Sequence, residues 1–190
     1  MKRILLTAMA STALALSSAA FAQTPVKLLP AQSEIAFVSK QMGVPVEGVF
    51  KKFDAQISLD PKKPEAGTVA FTIDTGSASL GIPQTDAELP KPEWFNTPKF
   101  PQASFQSSAI KGLGGGKFEV AGKLTIKGNV RDIVVPVSVV QTAGTSVASG
   151  AFTIKRLEFK IGEGDWGDTS IVANEVQVRF KLALTGLGPL

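Results

Sequence analysis

The chain has 190 residues and contains neither histidine nor cysteine. These absences exclude disulfide bonds and remove the commonest metal ligands, general bases and activated nucleophiles, so an enzyme would have to use carboxylates, serines or lysines. The formal net charge is +4, from 20 basic and 16 acidic residues. Because most basic residues lie singly on alternating positions, they indicate a solvated surface and no nucleic-acid partner.

The first 22 residues have the parts of a secretory signal peptide. A basic pair precedes an apolar run, and Ala20-Phe21-Ala22 supplies the small residues that signal peptidase requires. A transmembrane anchor is the alternative interpretation, but the run is short and interrupted. We expect cleavage between Ala22 and Gln23, with residues 1–22 as the signal peptide and residues 23–190 as one domain. Without cysteine there is no site for a lipid anchor, and the expected location is the periplasm.

Eight segments alternate polar and apolar residues with the period of two that is typical of strands with one solvated and one buried face. The clearest of them runs from Lys117 to Lys127. The apolar phase slips between Phe50 and Phe53. It slips again between Ile154 and Leu157, and each slip predicts a β-bulge or a sharp bend. In chain order, the predicted strands are Ile35–Ser39, Val46–Leu59, Val69–Thr75, Ala103–Ile110, Lys117–Lys127, Arg131–Val140, Gly150–Ile161 and Val176–Leu184.

Residues typical of hairpin turns separate these segments, as at Lys127-Gly128-Asn129 and Ala143-Gly144-Thr145. Eight antiparallel strands with one apolar face can close on themselves, which removes exposed strand edges. The sequence therefore predicts an all-β domain, built as a closed antiparallel barrel with an apolar interior.

The segment from Gly81 to Pro101 departs from the alternation. Residues 85–89 can begin a helical turn, but four prolines prevent a longer helix. We expect a long, partly helical connection that lies over one mouth of the barrel. Trp94 and Phe95 within it must pack against something, either as core at the barrel's end or as the lining of a ligand portal.

Two motifs suggest chemistry, and neither has the complete pattern. Gly112–Lys117 is similar to a phosphate-binding loop, but phenylalanine follows the lysine and a strand comes next, so we predict a hairpin turn. The acidic segment Glu163–Asp168 lacks the spacing of a calcium loop, so we predict a polar loop. No catalytic residue, metal ligand or cofactor is assigned, and we expect no enzymatic activity.

Four segments together resemble the YceI-like family of polyisoprenoid-binding proteins: Gly48–Phe53, Leu59–Pro64, Trp94–Phe105 and Gly122–Gly128. The resemblance implies a lipocalin-like, eight-stranded antiparallel barrel whose interior holds a long isoprenoid tail of the polyprenyl or ubiquinone type. It also implies no catalytic activity. Members of the family commonly carry a histidine near the position of Lys40, which this chain lacks, so no headgroup contact is assigned there.

The resemblance assigns the apolar face of each matching strand, together with Trp94 and Phe95, to the ligand pocket. The same side chains could equally fill the core of a barrel without a cavity, because alternation does not distinguish the two cases. The assigned residues are Phe37, Phe50, Phe71, Ile73, Trp94, Phe95, Phe105, Phe118, Val120, Leu124, Ile126, Val135, Val137, Phe152, Ile154, Val178, Phe180 and Leu182.

The leading hypothesis is a soluble periplasmic carrier of an isoprenoid lipid, in transient contact with inner-membrane or quinone-linked proteins. Whether the chain forms a homodimer is left open. One alternative is an outer-membrane barrel, although the absence of tyrosine and the non-aromatic segment Gly186–Leu190 disfavour it. A second alternative is an accessory protein of a quinone-linked electron-transfer complex in the membrane.

Overall fold

The computed structural model describes residues 25–190, and every long element in that range is a β-strand. Eleven strands share one sheet, accompanied by one short helix and five short 3₁₀ turns. The predicted signal peptide and its cleavage site at Ala22 and Gln23 lie outside the described residues. Within them, no helix has the length and apolar composition needed to cross a membrane.

The all-β prediction is confirmed by the order of these elements. The strands are β1 Lys27–Leu28, β2 Glu34–Gln41, β3 Val44–Phe50, β4 Phe53–Ser58, β5 Thr68–Asp74, β6 Ala78–Ser79, β7 Gln102–Gly114, β8 Lys117–Ile126, β9 Asn129–Thr142, β10 Thr145–Lys155 and β11 Glu175–Thr185. The helix α1 spans Pro83–Asp86, and the 3₁₀ turns are Pro30–Gln32, Pro64–Ala66, Thr75–Ser77, Arg156–Phe159 and Gly164–Gly167.

The order of the strands shows how the sheet curls. Antiparallel pairing connects them as β4-β5-β7-β8-β9-β10-β11-β2-β3-β6, and β1 pairs with β11. β3 and β4 stand near opposite ends of this order, yet only Lys51 and Lys52 separate them in the chain. Val26 adds a bridge to Ile57 of β4 just before β1 begins. The sheet must therefore curve until its two ends approach each other.

The predicted number of eight strands is wrong, and the bend at Lys51-Lys52 is the main reason. Phe50 and Phe53 both pack on the interior cluster that contains Ile35, although their odd spacing would put them on opposite faces of a regular strand. The two exposed lysines leave the strand, which divides the predicted segment 46–59 into β3 and β4. β1 and β6 were missed because two residues are too few to show a period.

The predicted strand 150–161 is wrong at both ends. β10 begins at Thr145 and ends at Lys155, where the second slip in apolar phase occurs. The next residues form the 3₁₀ turn Arg156–Phe159, in which Arg156 and Phe159 are both buried. The chain turns here because the Arg156 side chain binds backbone carbonyls of the following loop, as described below.

The connection between β6 and β7 contains a single helical turn, shifted by two residues from the prediction at 85–89. α1 begins at Pro83, a residue that suits the first position of a helix because it has no N–H to satisfy. The carboxylate of Asp86 accepts hydrogen bonds from the Ser79 hydroxyl at 2.7 Å and the Leu80 amide at 2.6 Å. These bonds fasten the start of the connection to the end of β6.

The neighbouring strands β9 and β10 are joined over only part of their lengths. β9 pairs with β10 from Ser138 to Thr142, opposite Ser149 to Thr145. From Gly150 to Lys155 the described partner of β10 is β11 alone, and from Asn129 to Val137 the described partner of β9 is β8 alone. The hydrogen-bonded ladder therefore opens between these two segments, a feature called the β9–β10 gap below.

Candidate functional site

The inner face of the curled sheet surrounds a cavity of about 240 Å³. All of the long strands contribute to its wall, and the connection between β6 and β7 contributes Leu89, Trp94 and Phe95. Almost every lining residue is aliphatic or aromatic, and the polar exceptions are Ser39, Ser104 and Arg156. A wall of this composition favours an apolar ligand, because it offers few partners for polar groups.

The eighteen pocket residues assigned from the sequence all lie on this wall. Their position is established, while their contact with a ligand stays a prediction. They are Phe37, Phe50, Phe71, Ile73, Trp94, Phe95, Phe105, Phe118, Val120, Leu124, Ile126, Val135, Val137, Phe152, Ile154, Val178, Phe180 and Leu182.

Most of the lining residues that the sequence analysis missed continue the same alternation. Ile35 precedes Phe37 by two positions, and Val139 follows Val137 in the same way. Ile110 was hidden by a shift in register between Ser107 and Ala109, which moves the inward phase of β7. The missed residues are Ile35, Ser39, Ile57, Leu59, Val69, Leu89, Ala103, Ser104, Ile110, Val139, Ala148, Arg156, Ile161, Val176, Leu184 and Leu187.

Aromatic packing connects the long connection to the sheet. The rings of Phe50 and Phe95 meet edge to face with centroids 5.9 Å apart, and Phe37 packs on Phe50 at 5.3 Å. Trp94 packs on Trp166 of the loop after β10, at 5.6 Å between centroids. Phe95 and Trp94 thus belong both to the core and to the cavity wall, so the two interpretations of this pair are not exclusive.

Arg156 organises the loop after β10, which covers the same end of the cavity as the connection between β6 and β7. Its side chain is 1% exposed, and its guanidinium donates five hydrogen bonds of 2.7–3.1 Å to backbone carbonyls. The acceptors are Ile161, Gly162, Trp166, Val172 and Ala173. Burial lowers the pKa of Arg156, but guanidinium remains charged in proteins. All five of its donors are used, so it shapes the loop without offering a donor to a ligand.

Lys127 connects the two segments that cover this end of the cavity, which are the β6–β7 connection and the loop after β10. Its buried Nζ donates to the carbonyl of Pro92 at 2.6 Å and to the carbonyl of Lys160, and it pairs with Glu163 at 3.1 Å. The amide of Gly162 adds a bond of 2.7 Å to the carbonyl of Glu93. Single basic residues at strand ends are usually solvated, so no local pattern indicates the buried roles of Lys127 and Arg156.

The two motifs weighed for chemistry have structural roles. β7 and β8 meet at Gly115-Gly116, both with positive φ, so the predicted hairpin is confirmed. In the acidic segment, the carboxylate of Asp168 accepts bonds from the Ser170 hydroxyl and amide, which lower its pKa. Within residues 25–190, no three acidic side chains converge in a way that would hold a metal ion.

Comparisons with known proteins agree with this geometry. The family model described as the YceI-like domain matches residues 27–184. The crystal structure of BcnA from Burkholderia cenocepacia is 46% identical, with a TM-score of 0.80, and the match covers 83% of this chain and 99% of BcnA. A polyisoprenoid binding domain from Saccharophagus degradans has a TM-score of 0.70 over 85% of this chain and 98% of that domain. At 20% identity it shows a shared fold alone.

Curated relatives match a shorter segment. Protein YceI of Salmonella arizonae is 35% identical over 88 residues, which are 46% of this chain and 46% of that protein. The chain therefore spans about half the length of the curated relatives that it matches. Because the family model extends from β1 almost to the end of β11, the resemblance noted in the sequence is confirmed, and the chain belongs to the YceI-like family.

Proposed function

We propose that this chain is a soluble periplasmic protein that binds a long isoprenoid lipid, of the polyprenyl or ubiquinone type, inside the curled sheet and carries it. The observation that carries the proposal is the cavity wall, in which aliphatic and aromatic side chains come from every long strand. The likeness in fold to the polyisoprenoid binding domain of Saccharophagus degradans supports the same ligand class. In this proposal the sheet works as a lipocalin-like barrel. The consecutive strands β3 and β4, which meet at the bend Lys51-Lys52, count together as one of its strands.

The orientation of the strands supports a protein that works in water. On β8, Phe118 and Val120 are buried on the cavity side, whereas Lys117 and Glu119 are exposed on the outer side. A sheet embedded in an outer membrane needs the opposite arrangement, with apolar residues facing the lipid. The outer-membrane alternative is therefore disfavoured.

Burial of the tail supplies the binding free energy in this proposal. An isoprene unit contains five carbons, so each buried unit contributes a gross transfer free energy of about 4 kcal/mol. Part of that gain is lost when the flexible tail becomes ordered. In a membrane the tail is already shielded from water. The affinity for lipid dissolved in water is therefore higher than the affinity for lipid taken from a bilayer.

A binding role without catalysis fits the side chains that are present. The sequence has no histidine or cysteine. Among the described residues, the buried cationic side chains Lys127 and Arg156 are occupied by backbone carbonyls and one carboxylate. The proposal accordingly includes no cofactor and no chemical step.

Identification of the co-purified lipid tests the proposal. The full chain is expressed in a Gram-negative host, and native mass spectrometry and organic extraction are applied to the fresh protein. We expect a prenyl lipid or a quinone, and repeated recovery of protein without any lipid would contradict the ligand class. Cell fractionation and N-terminal sequencing of the same preparation test the periplasmic location, with Gln23 expected as the first residue.

A further inference from the structure

The β9–β10 gap is bounded by firm contacts at one end. Ser138 and Ser149 form the last ladder pair. Beyond it, Gly150 lies directly against the carbonyl oxygen of Pro136, so close that a Cβ at position 150 would collide with it. Past this contact, no ladder pairing between the two strands is described.

The backbone of β9 turns polar groups toward the gap, where no ladder pairing with β10 is described. The amide of Val139 donates to the carbonyl of Gly116 at 2.7 Å, on the β8 side. In an antiparallel ladder the direction alternates, so residues 132, 134 and 136 turn their backbone polar groups toward β10. Position 136 is proline, which has no N–H to donate. β9 is therefore an edge strand along this segment.

Inward-facing side chains flank the gap on both strands. Ile133 of β9 and Phe152 of β10 pack on the same interior cluster as Ile154. At the far end, Arg131 approaches Glu158 with 3.4 Å between Nε and Oε2, and both side chains are about half exposed. An exposed ion pair of this kind holds weakly. The two strands can separate here by moving side chains, whereas separating them between Ser138 and Thr142 breaks a ladder.

The two ends of the cavity are closed by hydrogen-bonded segments. The end under the long connection is held by the buried hydrogen bonds of Lys127 and Arg156. At the opposite end lies Leu187, and Gln141 binds the segment after it through the carbonyl of Gly188 at 2.7 Å. Beside the gap, Val130 and Val134 expose 46% and 60% of their surface to solvent, which gives an apolar tail a first place to land.

We propose that the β9–β10 gap is a lateral gate through which an apolar tail enters and leaves the cavity. The tail displaces Ile133 and Phe152, passes between the strands, and the side chains close behind it. This inference rests on the proposed function, because it assumes that the cavity holds an apolar tail.

A crosslink across the gap tests the gate, and the absence of native cysteine makes the added thiols unique. Extending the register beyond Ser138 and Ser149 places Val134 opposite Thr153, and both are exposed. The test variant is Val134→Cys with Thr153→Cys, closed by a short bifunctional thiol reagent that contains a disulfide. The control is Ser138→Cys with Ser149→Cys, whose positions are already joined by the ladder.

Each variant is loaded with dansyl-labelled undecanoic acid before crosslinking, and release into phosphatidylcholine vesicles is followed by fluorescence. We expect closure of the gate pair to slow release by about tenfold or more, with recovery after reduction, and closure of the ladder pair to leave the rate unchanged. Equal release rates from the closed and the reduced gate pair would overturn the gate, while leaving binding intact. A wild-type chain that takes up no probe contradicts the proposed function as well.

Discussion

The guanidinium of Arg156 donates to the backbone carbonyl of Val172 across 2.7 Å, and both residues are almost completely buried. This contact joins the end of β10 to the segment just before β11. Four more carbonyls of the loop 156–174 accept hydrogen bonds from the same side chain. Loss of this side chain should therefore destabilise the whole loop that covers the cavity.

We expect Arg156→Met to lower the free energy of unfolding by about 3–5 kcal/mol, because five carbonyls, three of them in buried bonds, lose their donor while the packing volume is roughly kept. Urea denaturation followed by circular dichroism measures the change. Lys91→Met is the matched control, since Lys91 forms only an exposed pair with Glu88, and it should cost less than about 1 kcal/mol. Similar losses for the two variants would contradict the role of Arg156.

Filling the cavity should separate binding from stability. Val120 is buried on the cavity wall, so Val120→Phe adds a ring to empty space. We expect about tenfold weaker uptake of dansyl-labelled undecanoic acid, with a change of less than about 1.5 kcal/mol in the free energy of unfolding. Glu119→Phe, one position away on the outer face, should leave uptake unchanged. Equal uptake by the two variants would place the probe outside the cavity.

Hydrogen exchange tests the β9–β10 gap without any ligand. The amides of Val135 and Val137 point toward β8 and belong to the ladder, whereas those of Asp132 and Val134 point into the gap. We therefore expect the two gap-facing amides to exchange at least about tenfold faster than the two ladder amides. Equal protection of all four would show that β9 and β10 are joined here.

The hydrogen bonds to the Asp86 carboxylate predict a pH-dependent contribution to stability. The Ser79 hydroxyl, followed by the Leu80 amide, holds the pKa of Asp86 below its usual 3.8. The folded state therefore favours the carboxylate, so the contribution is complete above pH 3.8 and is lost as the pH falls through the lowered pKa. Asp86→Asn should reduce the urea midpoint at neutral pH, and the difference from wild type should shrink in acid.

The matched control for this variant is Asp54→Asn, on the exposed outer side of β4. It should shift the midpoint little, and by the same amount at both pH values. A deficit of Asp86→Asn that persists unchanged in acid would mean that the carboxylate charge is not what fastens the connection.

The inner face of the sheet could be predicted from the sequence because apolar alternation is a local signal. Each assigned strand residue reaches the wall by the same rule that places Phe118 and Val120 on one side of β8, whereas Trp94 and Phe95 reach it from the long connection. The slip between Phe50 and Phe53 also located the bend, although alternation does not tell a bulge from a complete break. The predicted number of strands was therefore wrong at this bend.

The remaining parts depend on contacts between residues far apart in the chain. Lys127 meets Pro92 and Arg156 meets Val172, and nothing in the local pattern distinguishes these two cations from solvated ones. The gap had one local sign, Pro136 in the middle of an apolar strand, since proline is confined to strands with a free edge. That residue could have indicated where the ladder opens.

The pairing of β2 with β11 has a consequence for how the protein is made. Phe37 lies opposite Val178, so the first long strand acquires this neighbour only from the last one. Contacts that span nearly the whole chain form late, because closing a long loop costs conformational entropy before those contacts can stabilise the fold. A growing polypeptide thus cannot complete its sheet before Thr185 has left the ribosome. The first long strand therefore keeps an unpaired edge until the last strand has been synthesised.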